Sequence, residues 1–252
     1  MRLLRFLSCA LSLGAAALTA CAPSYMLTMR PSKGTGLWAD GAEAAHRQND
    51  SLEVQVSFVR YEEDKMVFAM DFHNKTRRPW VVGPKDFYLQ PVLTQPVASR
   101  AVSYLPAGLA AFDPEVQIQA LTSRVSEESK AATNVGTNEL LTSLSHGVEN
   151  LAALKKKETK EQEQARETKH QNENNYYTRQ RLEAAAAADQ HRAQLEELRS
   201  TYLRRNTVEP GQRIRGYVSF PRADIADLIR VSAPGLAEGT TLDFIQTRVG
   251  PK

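Results

Sequence analysis

Residues 112–206 carry a helical pattern, and they interrupt a chain whose flanking stretches, residues 51–111 and 207–250, carry the pattern of β-strands. Together the flanking stretches hold about six to eight short strands without helices between them, which is typical of a two-sheet sandwich. Neither stretch has enough strands to be stable alone. The sequence therefore predicts an α+β fold, in which one antiparallel β-sandwich is interrupted by a long α-helical hairpin insertion.

The predicted strands rest on period-two alternation of apolar and polar residues, which is typical of half-buried strands. Two long runs flank the polar residues 62–65 and predict an antiparallel hairpin. Shorter strands are expected at 79–82, 87–90, 101–105, 228–232 and 240–247. The apolar positions of the three longest runs are Leu52, Val54, Val56 and Phe58; Met66, Phe68, Met70 and Phe72; and Ile214, Gly216, Val218 and Phe220.

A scattered set of residues on both sides of the insertion resembles a class of immunoglobulin-like extracytoplasmic domains of unknown function that are common on bacterial lipoproteins. The resemblance covers about half of the chain outside its first 20 residues and implies an immunoglobulin-like sandwich. That family brings no catalytic residues, so the resemblance implies a binding or presenting scaffold. The residues that carry it are Asn74, Pro79, Val82, Phe87, Pro210, Gly211, Gly216 and Phe220.

The insertion begins with a strong helix start signal, because Asp113, Pro114 and Glu115 combine an N-cap, a first-turn proline and a first-turn acid. A first helix is expected to about Asn134. A second helix begins near residue 137 and loses its apolar spacing after residue 155. The Asn-rich residues 171–175 predict a turn, and a third helix is expected over 176–204.

The second and third predicted helices have apolar residues that match if the chain reverses near residue 171. An antiparallel hairpin of about 45 Å would then pair Leu141 with Tyr202, Leu144 with Leu198 and Val148 with Leu195. The Asn-rich turn lies at the reversal that this register requires. We therefore expect residues 137–206 to form a helical arm with coiled-coil spacing.

The first 20 residues are typical of a secretory signal. Arg2 and Arg5 make the start basic, and an apolar run of about 15 residues extends from Phe6 to Ala20. A helix needs about 20 residues to span the hydrocarbon layer, so this run is too short for a permanent transmembrane helix. We expect residues 1–20 to be removed.

Leu18, Thr19, Ala20 and Cys21 resemble the lipobox of bacterial lipoproteins. The resemblance implies that Cys21 receives a diacylglyceryl group, becomes the first residue and is acylated on its freed amine, which anchors the protein stably because more than one acyl chain is attached. The family's sorting tendency, with Ala22 after the cysteine, implies the outer membrane, facing the periplasm. The alternative is ordinary signal cleavage after Ala22.

Residues 21–50 contain several proline and glycine residues and are expected to form a tether. Within it Tyr25, Leu27 and Met29 alternate, so this part could instead pair as a strand.

Charge and cysteine content exclude several classes of function. Removal of the leader with its two arginines leaves 30 basic and 29 acidic residues. The chain therefore lacks the excess of positive charge that nucleic-acid binding requires. The two cysteines are Cys9, inside the leader, and Cys21. Once Cys21 is alkylated, the folded part has no disulfide, no thiolate nucleophile and no cysteine-bound metal.

The sequence lacks the phosphate-binding loop, the dinucleotide fingerprint, the zinc-protease helix and the nucleophile elbow, so we predict no catalytic, cofactor-binding or metal residues. Asp71 and His73 share the polar face of a predicted strand and could ligate a metal, although exposed residues of this kind are more often solvated. The other four histidines have no ligand-like partner at helical spacing, so we expect them to be packed or exposed; they are His46, His146, His170 and His191.

Two features of the insertion could make contacts outside the chain. Lys155, Lys156, Lys157 and Lys160 form a basic run that could touch anionic lipid or cell-wall polymer, but nearby glutamates dilute the charge and favour a solvated face. The pair Tyr176–Tyr177 is expected at the tip of the hairpin, where it either contacts a partner or packs between the helices.

These observations favour a non-enzymatic, lipid-anchored envelope protein whose helical arm, residues 137–206, contacts a protein partner or a second copy. An envelope enzyme with a site between the sandwich and the arm, using Asp71 and His73, is the first alternative. A cell-wall binder that uses the lysine run is the second.

Overall fold

The computed structural model describes residues 26–39, 41–94, 107–236 and 240–250. The chain divides into two compact units, of which the first comprises residues 1–112 and 207–252 and the second residues 113–206. The predicted leader, the lipobox with Cys21 and the expected strand at 101–105 all lie outside the described residues.

The first unit is built from antiparallel sheets. In chain order the strands are β1 (Met26–Pro31), β2 (Trp38–Ala39), β3 (Ala42–Gln48), β4 (Leu52–Tyr61), β5 (Lys65–Asn74), β6 (Trp80–Val82), β7 (Tyr88–Val92), β8 (Leu109–Ala110), β9 (Asn206–Val208), β10 (Arg213–Pro221), β11 (Leu228–Ser232) and β12 (Leu242–Val249). One five-stranded sheet has the order β1-β12-β11-β7-β8, and the other has the order β10-β5-β4-β3-β2. A small additional sheet joins β6 and β9.

The two five-stranded sheets share one aromatic core. The ring of Phe68 on β5 lies 5.4 Å from that of Phe244 on β12 and 5.9 Å from that of Phe220 on β10, all in edge-to-face geometry. All three rings are fully buried. Because β12 belongs to one sheet and β5 to the other, the contact of Phe68 with Phe244 joins the inner faces of the two sheets, and Phe220 packs beside Phe68 within its own sheet.

A buried amide provides a second link between the sheets. Gln246 on β12 is 6% exposed and donates to the carbonyl oxygens of Ala223, Asp224 and Ala226. Its Oε1 accepts the hydroxyl of Tyr61 from β4 at 2.8 Å. Each polar atom of this side chain is therefore satisfied, which burial requires.

The period-two alternation predicted the central strands correctly. The runs that begin at Leu52 and Met66 lie in β4 and β5, which pair as the expected antiparallel hairpin. The run at Ile214 lies in β10, which pairs with β5 on its other edge. The strand expected at 228–232 is β11, with the same limits. These strands were recognisable because large apolar side chains recur on one face of each, including β5, whose residues 66–70 are buried on both faces.

The tether predicted at 21–50 is wrong for most of its described length. Residues in this range form β1, β2 and β3, and β1 pairs with β12 at the edge of one sheet while β3 pairs with β4 in the other. The alternative strand at Leu27 and Met29 is confirmed, because both residues lie in β1. Alanines 44 and 45 are buried side by side in β3, so no alternation signalled that strand.

The second unit contains three helices: α1 (Pro114–Thr133), α2 (Thr137–Lys155) and α3 (Lys160–Thr201). Because α1 packs on α3, the helical arm comprises all of residues 113–206 rather than residues 137–206 alone. The predicted start of α1 is confirmed, because the Asp113 side chain accepts the backbone N–H of Glu115 at 3.0 Å and Pro114 occupies the first turn. The predicted start of α2 at residue 137 is also confirmed. Among the described residues, no helix has the length and apolar content needed to cross a bilayer.

The turn predicted at 171–175 is wrong, because these residues lie inside α3. The chain reverses instead at residues 156–159, where Thr159 and Gln162 form a capping box at the start of α3. Asparagine in a helix costs only a fraction of a kcal/mol relative to alanine, about 0.7 at most. The capping box at Thr159 and the bonds of His170 and Glu173 to α2 favour the helical conformation of this segment despite its asparagines.

The pairing predicted between the second and third helices is also wrong. Leu195, Leu198 and Tyr202 pack against Ile118 and Leu121 of α1, not against Val148, Leu144 and Leu141 of α2. Both α1 and α2 run antiparallel to α3, α1 along its C-terminal half and α2 along its N-terminal half. The bonded pairs that show this register are Glu115–Arg204, Thr122–Arg199, Glu128–His191, Glu139–Arg181, Thr142–Tyr177, His146–Glu173 and Glu149–His170.

Asn74, at the end of β5, holds three loops of the first unit together. The residue is fully buried. Its Nδ2 donates to the carbonyl oxygens of Arg78 and Val208, both at 2.8 Å, and its Oδ1 accepts from the backbone N–H and hydroxyl of Thr76. Its backbone also bonds Gln212 and Gly211. The side chain therefore replaces backbone pairing where these loops meet.

Replacing Asn74 with alanine is expected to destabilise the first unit by about 3 kcal/mol, because buried carbonyl and amide groups lose their partners. Urea unfolding measures this change, followed by tryptophan fluorescence since Trp38 and Trp80, the only tryptophans, both lie in this unit. Arg77→Ala, at an exposed position three residues along the chain, is the matched control. If Asn74→Ala lowers the free energy of unfolding no more than Arg77→Ala does, the Asn74 side chain does not hold these loops together.

Candidate interaction surface on the helical arm

The side of α2 that faces α3 is polar. Glu139, Thr142, His146, Glu149 and Asn150 recur at helical spacing, and each bonds a side chain of α3. The backbone of α2 also stays further from α3 than the backbone of α1 does. The two helices are therefore joined by long polar side chains, whereas α1 and α3 meet through an apolar seam.

Two histidines lie at the centre of this polar interface. The His146 ring stacks on the His170 ring, with centroids 3.8 Å apart. His146 bonds Glu173 of α3, and His170 Nε2 lies 2.9 Å from Oε2 of Glu149 on α2. Lys169 donates to the other oxygen of Glu149 at 2.7 Å, and the bonds from Lys169 and His170 lower the pKa of Glu149 to about 2. The contacts fix which side of α2 faces α3.

The opposite side of α2 is apolar and exposed. Six large aliphatic side chains on it, here called the α2 stripe, are between 54% and 85% exposed. Full burial of one such side chain contributes about 1.5–3 kcal/mol, so leaving all six in water forgoes several kcal/mol. The stripe consists of Leu140, Leu141, Leu144, Val148, Leu151 and Leu154.

The borders of the α2 stripe carry no charge. The exposed positions beside it are occupied by Ser143, Ser145, Gly147, Asn150 and Ala152. The only acids of α2, Glu139 and Glu149, face α3 and are bonded there. Its only base is Lys155, the last residue of the helix. The exposed face is thus an apolar strip with small polar edges, and Lys155 lies on it at its end, four residues after Leu151. Such a strip is typical of a surface that binds another macromolecule.

The lysine run follows the α2 stripe at the reversal of the chain. Lys155, at the end of α2, and Lys160, at the start of α3, flank the connecting residues 156–159. Glu158 in this connection bonds Arg166 through both Nε and Nη2 at 3.3 Å. Glu158 and Glu161 therefore lie among the lysines at the tip of the arm and dilute their charge, as the sequence indicated.

Tyr176 and Tyr177 are not at the tip, which corrects the position predicted for them. They lie in the middle of α3, beside a hollow of about 760 Å³ at the break between α1 and α2. The Tyr177 hydroxyl lies 3.0 Å from Oγ1 of Thr142, so this tyrosine packs between the helices. Tyr176 is 57% exposed, and its ring contacts that of Tyr177.

A second polar cluster lies on one sheet of the first unit, and it contains both residues that the sequence singled out as possible metal ligands. The carboxylate of Glu53 on β4 is its centre and lies 3.2 Å from Nδ1 of His73 and 3.3 Å from Nε2 of His46. Arg213 bonds both Glu53 and Asp71, so His73 contacts the Glu53 carboxylate directly and Asp71 is linked to it through Arg213.

The cluster pairs its charges with one another. Burial raises the pKa of Glu53, but hydrogen bonds from His73 and Gln55, the charge of Arg213 and the bond from His46 outweigh it and lower the pKa to about 2. Within the described ranges, no three histidine, cysteine or acidic side chains are arranged to hold a metal ion. The arrangement is that of a structural ion-pair network, and sequence reasoning missed its central residue, Glu53.

All five histidines of the chain bond a glutamate. His191, expected on an Ala-rich seam, bonds Glu128 of α1 at 2.8 Å. These partners were missed because each lies on a different strand or helix from its histidine, between 7 and 63 residues away in sequence.

Comparisons with known proteins find no match: no family model, no curated protein and no solved structure is similar to this chain. Nothing positive in these comparisons points to catalysis.

Replacing Glu53 with glutamine is expected to remove a pH-dependent part of the stability of the first unit. With a folded pKa of about 2 against an ordinary value of 4.5, the carboxylate stabilises the fold fully above pH 4.5, and this contribution is lost as the pH falls towards 2. The stability difference between the native chain and Glu53→Gln should therefore shrink by about 2–3 kcal/mol from pH 5 to pH 2.

Urea unfolding at a series of pH values, followed by tryptophan fluorescence, measures this difference. Glu63→Gln, in the exposed turn between β4 and β5, is the control and should follow the native pH dependence. Parallel pH curves for the native chain and Glu53→Gln would show that the cluster does not stabilise the ionised form.

Proposed function

We propose that this protein is a lipid-anchored cell-envelope protein without catalytic activity, whose helical arm binds a protein partner through the α2 stripe. The observation that carries the proposal is the orientation of α2, which turns its polar side to α3 and its leucines to solvent. An apolar face of this size is costly to leave in water, and in soluble proteins such a patch usually marks a binding surface.

The first unit acts in this proposal as the scaffold that carries the arm. Its two antiparallel sheets with a shared aromatic core support an immunoglobulin-like sandwich, which we propose as its fold class. The arm is inserted between β8 and β9, so the sheets continue on both sides of it. Anchoring through Cys21 would place the unit at the outer membrane, facing the periplasm.

The chemistry of the α2 stripe favours a protein surface as its target. A binding interface needs a desolvated apolar centre with an uncharged or polar rim, and the stripe and its serine, glycine and asparagine borders supply both. No described residue of the arm covers the stripe, since Leu195 and Leu198 of α3 pack against α1 and Leu182 is itself exposed.

The anchor is tested by replacing Cys21 with serine. We expect the native chain, expressed in a two-membrane bacterium, to incorporate a fatty-acid label and to sediment with membranes, because only the acylated sulfur and amine hold it there. Cys21→Ser should lose the label and leave the membrane fraction. Cys9→Ser, in the leader, is the control and should keep both properties. A labelled Cys21→Ser protein would overturn the anchor.

The α2 stripe is tested by photo-cross-linking in intact cells. A photoreactive residue at Val148, in the stripe, should give a discrete adduct, whereas one at Gln164 on α3 should not. Leu144→Gln combined with Leu151→Gln should reduce the Val148 adduct about tenfold, because apolar contact is lost at the centre of the interface.

Leu182→Gln is the matched control for these substitutions. Leu182 lies on α3, outside the α2 stripe, and is as exposed as the stripe leucines at 66%. The helical content of each variant, measured by circular dichroism, shows whether the arm remains folded. Absence of any Val148 adduct, or an adduct that survives the double substitution in a folded arm, would refute binding through the stripe.

A further inference from the structure

The spacing of the α2 stripe matches a helix as its binding partner. Leu141, Leu144, Val148 and Leu151 follow one another at intervals of three, four and three residues, which is the repeat of a coiled-coil seam. A second seam at the same spacing runs through Leu140, Leu144, Gly147, Leu151 and Leu154. A stripe with this repeat keeps facing a second helix along its whole length.

The surroundings of the stripe do not match a bilayer surface. Helices that lie in a membrane interface carry Lys or Arg along the polar face and Trp or Phe among the apolar residues. In α2 the polar side carries the acids Glu139 and Glu149, and α3 covers it. No tryptophan or phenylalanine occurs between residues 137 and 155. A helix is therefore a better occupant than lipid.

We propose that this helix is α2 of a second copy of the chain, paired antiparallel about a two-fold axis next to Gly147; this inference rests on the proposed function. In that register Leu141 meets Leu154 of the second copy, and Leu144 meets its Leu151. Both pairs are symmetric about the point between Gly147 and Val148, so the stripe from Leu141 to Leu154 is complementary to itself when reversed. Two-fold interfaces require this self-complementarity.

The charges and the backbone also fit pairing between two copies. An isologous contact sets each border residue against the border of an identical helix, and uncharged borders avoid the repulsion that like charges would cause. A Cβ built on Gly147 meets no atom within 4 Å, so the space beside this glycine is open. It can receive the Val148 side chain of the second copy as a knob in a hole.

The area involved predicts a weak dimer in solution and a stable one on a membrane. Six side chains that each bury about 60–120 Å² give roughly 1,000 Å² over both copies, which is the low end for a specific interface. Confinement of two copies to one membrane raises their effective concentration and compensates for the small area. The anchor and the stripe thus act together.

Disulfide trapping in the native envelope tests the pairing, because the acylated chain has no other free thiol. Val148→Cys lies next to the axis and should cross-link two copies on oxidation, about tenfold more than Leu182→Cys, since a disulfide needs Cα atoms within about 7 Å. Leu141→Cys alone should not cross-link, as its counterpart lies about 20 Å away along the helix. Co-expressed Leu141→Cys and Leu154→Cys copies should cross-link to each other.

The outcomes separate this inference from the proposed function. Equal self-cross-linking at positions 141, 148 and 154 would mean parallel helices and overturn the register. A Val148 adduct whose mass contains a different protein would overturn pairing between copies, while binding through the stripe would stand. Stripe-dependent flotation of Cys21→Ser protein with anionic liposomes, without cross-linking at Val148→Cys, would mean a lipid occupant and overturn both.

Discussion

The bonds between α2 and α3 determine what the rest of the arm can do. His146, Glu149, His170 and Glu173 join these helices through side chains that are long and polar, and they fix the rotation of α2 about its axis. Turning the leucines inward would set them against His170 and Glu173 of α3, which would lose their partners on α2, and polar groups left unpaired in an interface are costly. The arm therefore has an apolar seam near its base, between α1 and α3, and a polar one further along, and its remaining apolar face is directed outward.

Most of the strands could be predicted from the sequence because their signal is local. In β4, β5 and β10 apolar residues recur at every second position and enter the core, even though residues 66–70 of β5 and 218–220 of β10 are buried on both faces. The strands of residues 26–48 were largely missed for physical reasons. Buried Ala44 and Ala45 are neighbours in β3, and glycines 34, 36 and 41 between the strands resemble a linker when no partner strand is known. Pairing with β4 and β12, which decides their structure, is not a local property.

The surface of the arm was predicted in part. Spacing identified the leucines of α2 as one face of a helix, but the assumption that apolar faces within a chain meet each other assigned them the wrong partner. Ile118 and Leu121 of α1 occupy that place on α3 instead. A usable signal was present in the charges: Glu139 and Arg181, His146 and Glu173, and Glu149 and His170 pair at one constant register, which the Glu115–Arg204 pair in α1 continues. The Glu53 cluster offered no comparable pattern, since its members come from four strands.

The contact between Glu115 and Arg204 brings the two ends of the insertion together. Without this fold, residues 113–206 would be a long flexible loop between β8 and β9. Bringing the ends of such a loop together costs on the order of 4 kcal/mol of free energy, because the chain loses conformational entropy. A folded insertion has already lost that freedom, so β8 can pair with β7, and β9 with β6, as if a short connection joined them. The folded arm thus removes most of the entropy cost of joining β8 to β9. Lengthening the arm by whole heptads would leave this saving unchanged, because its two ends would stay together.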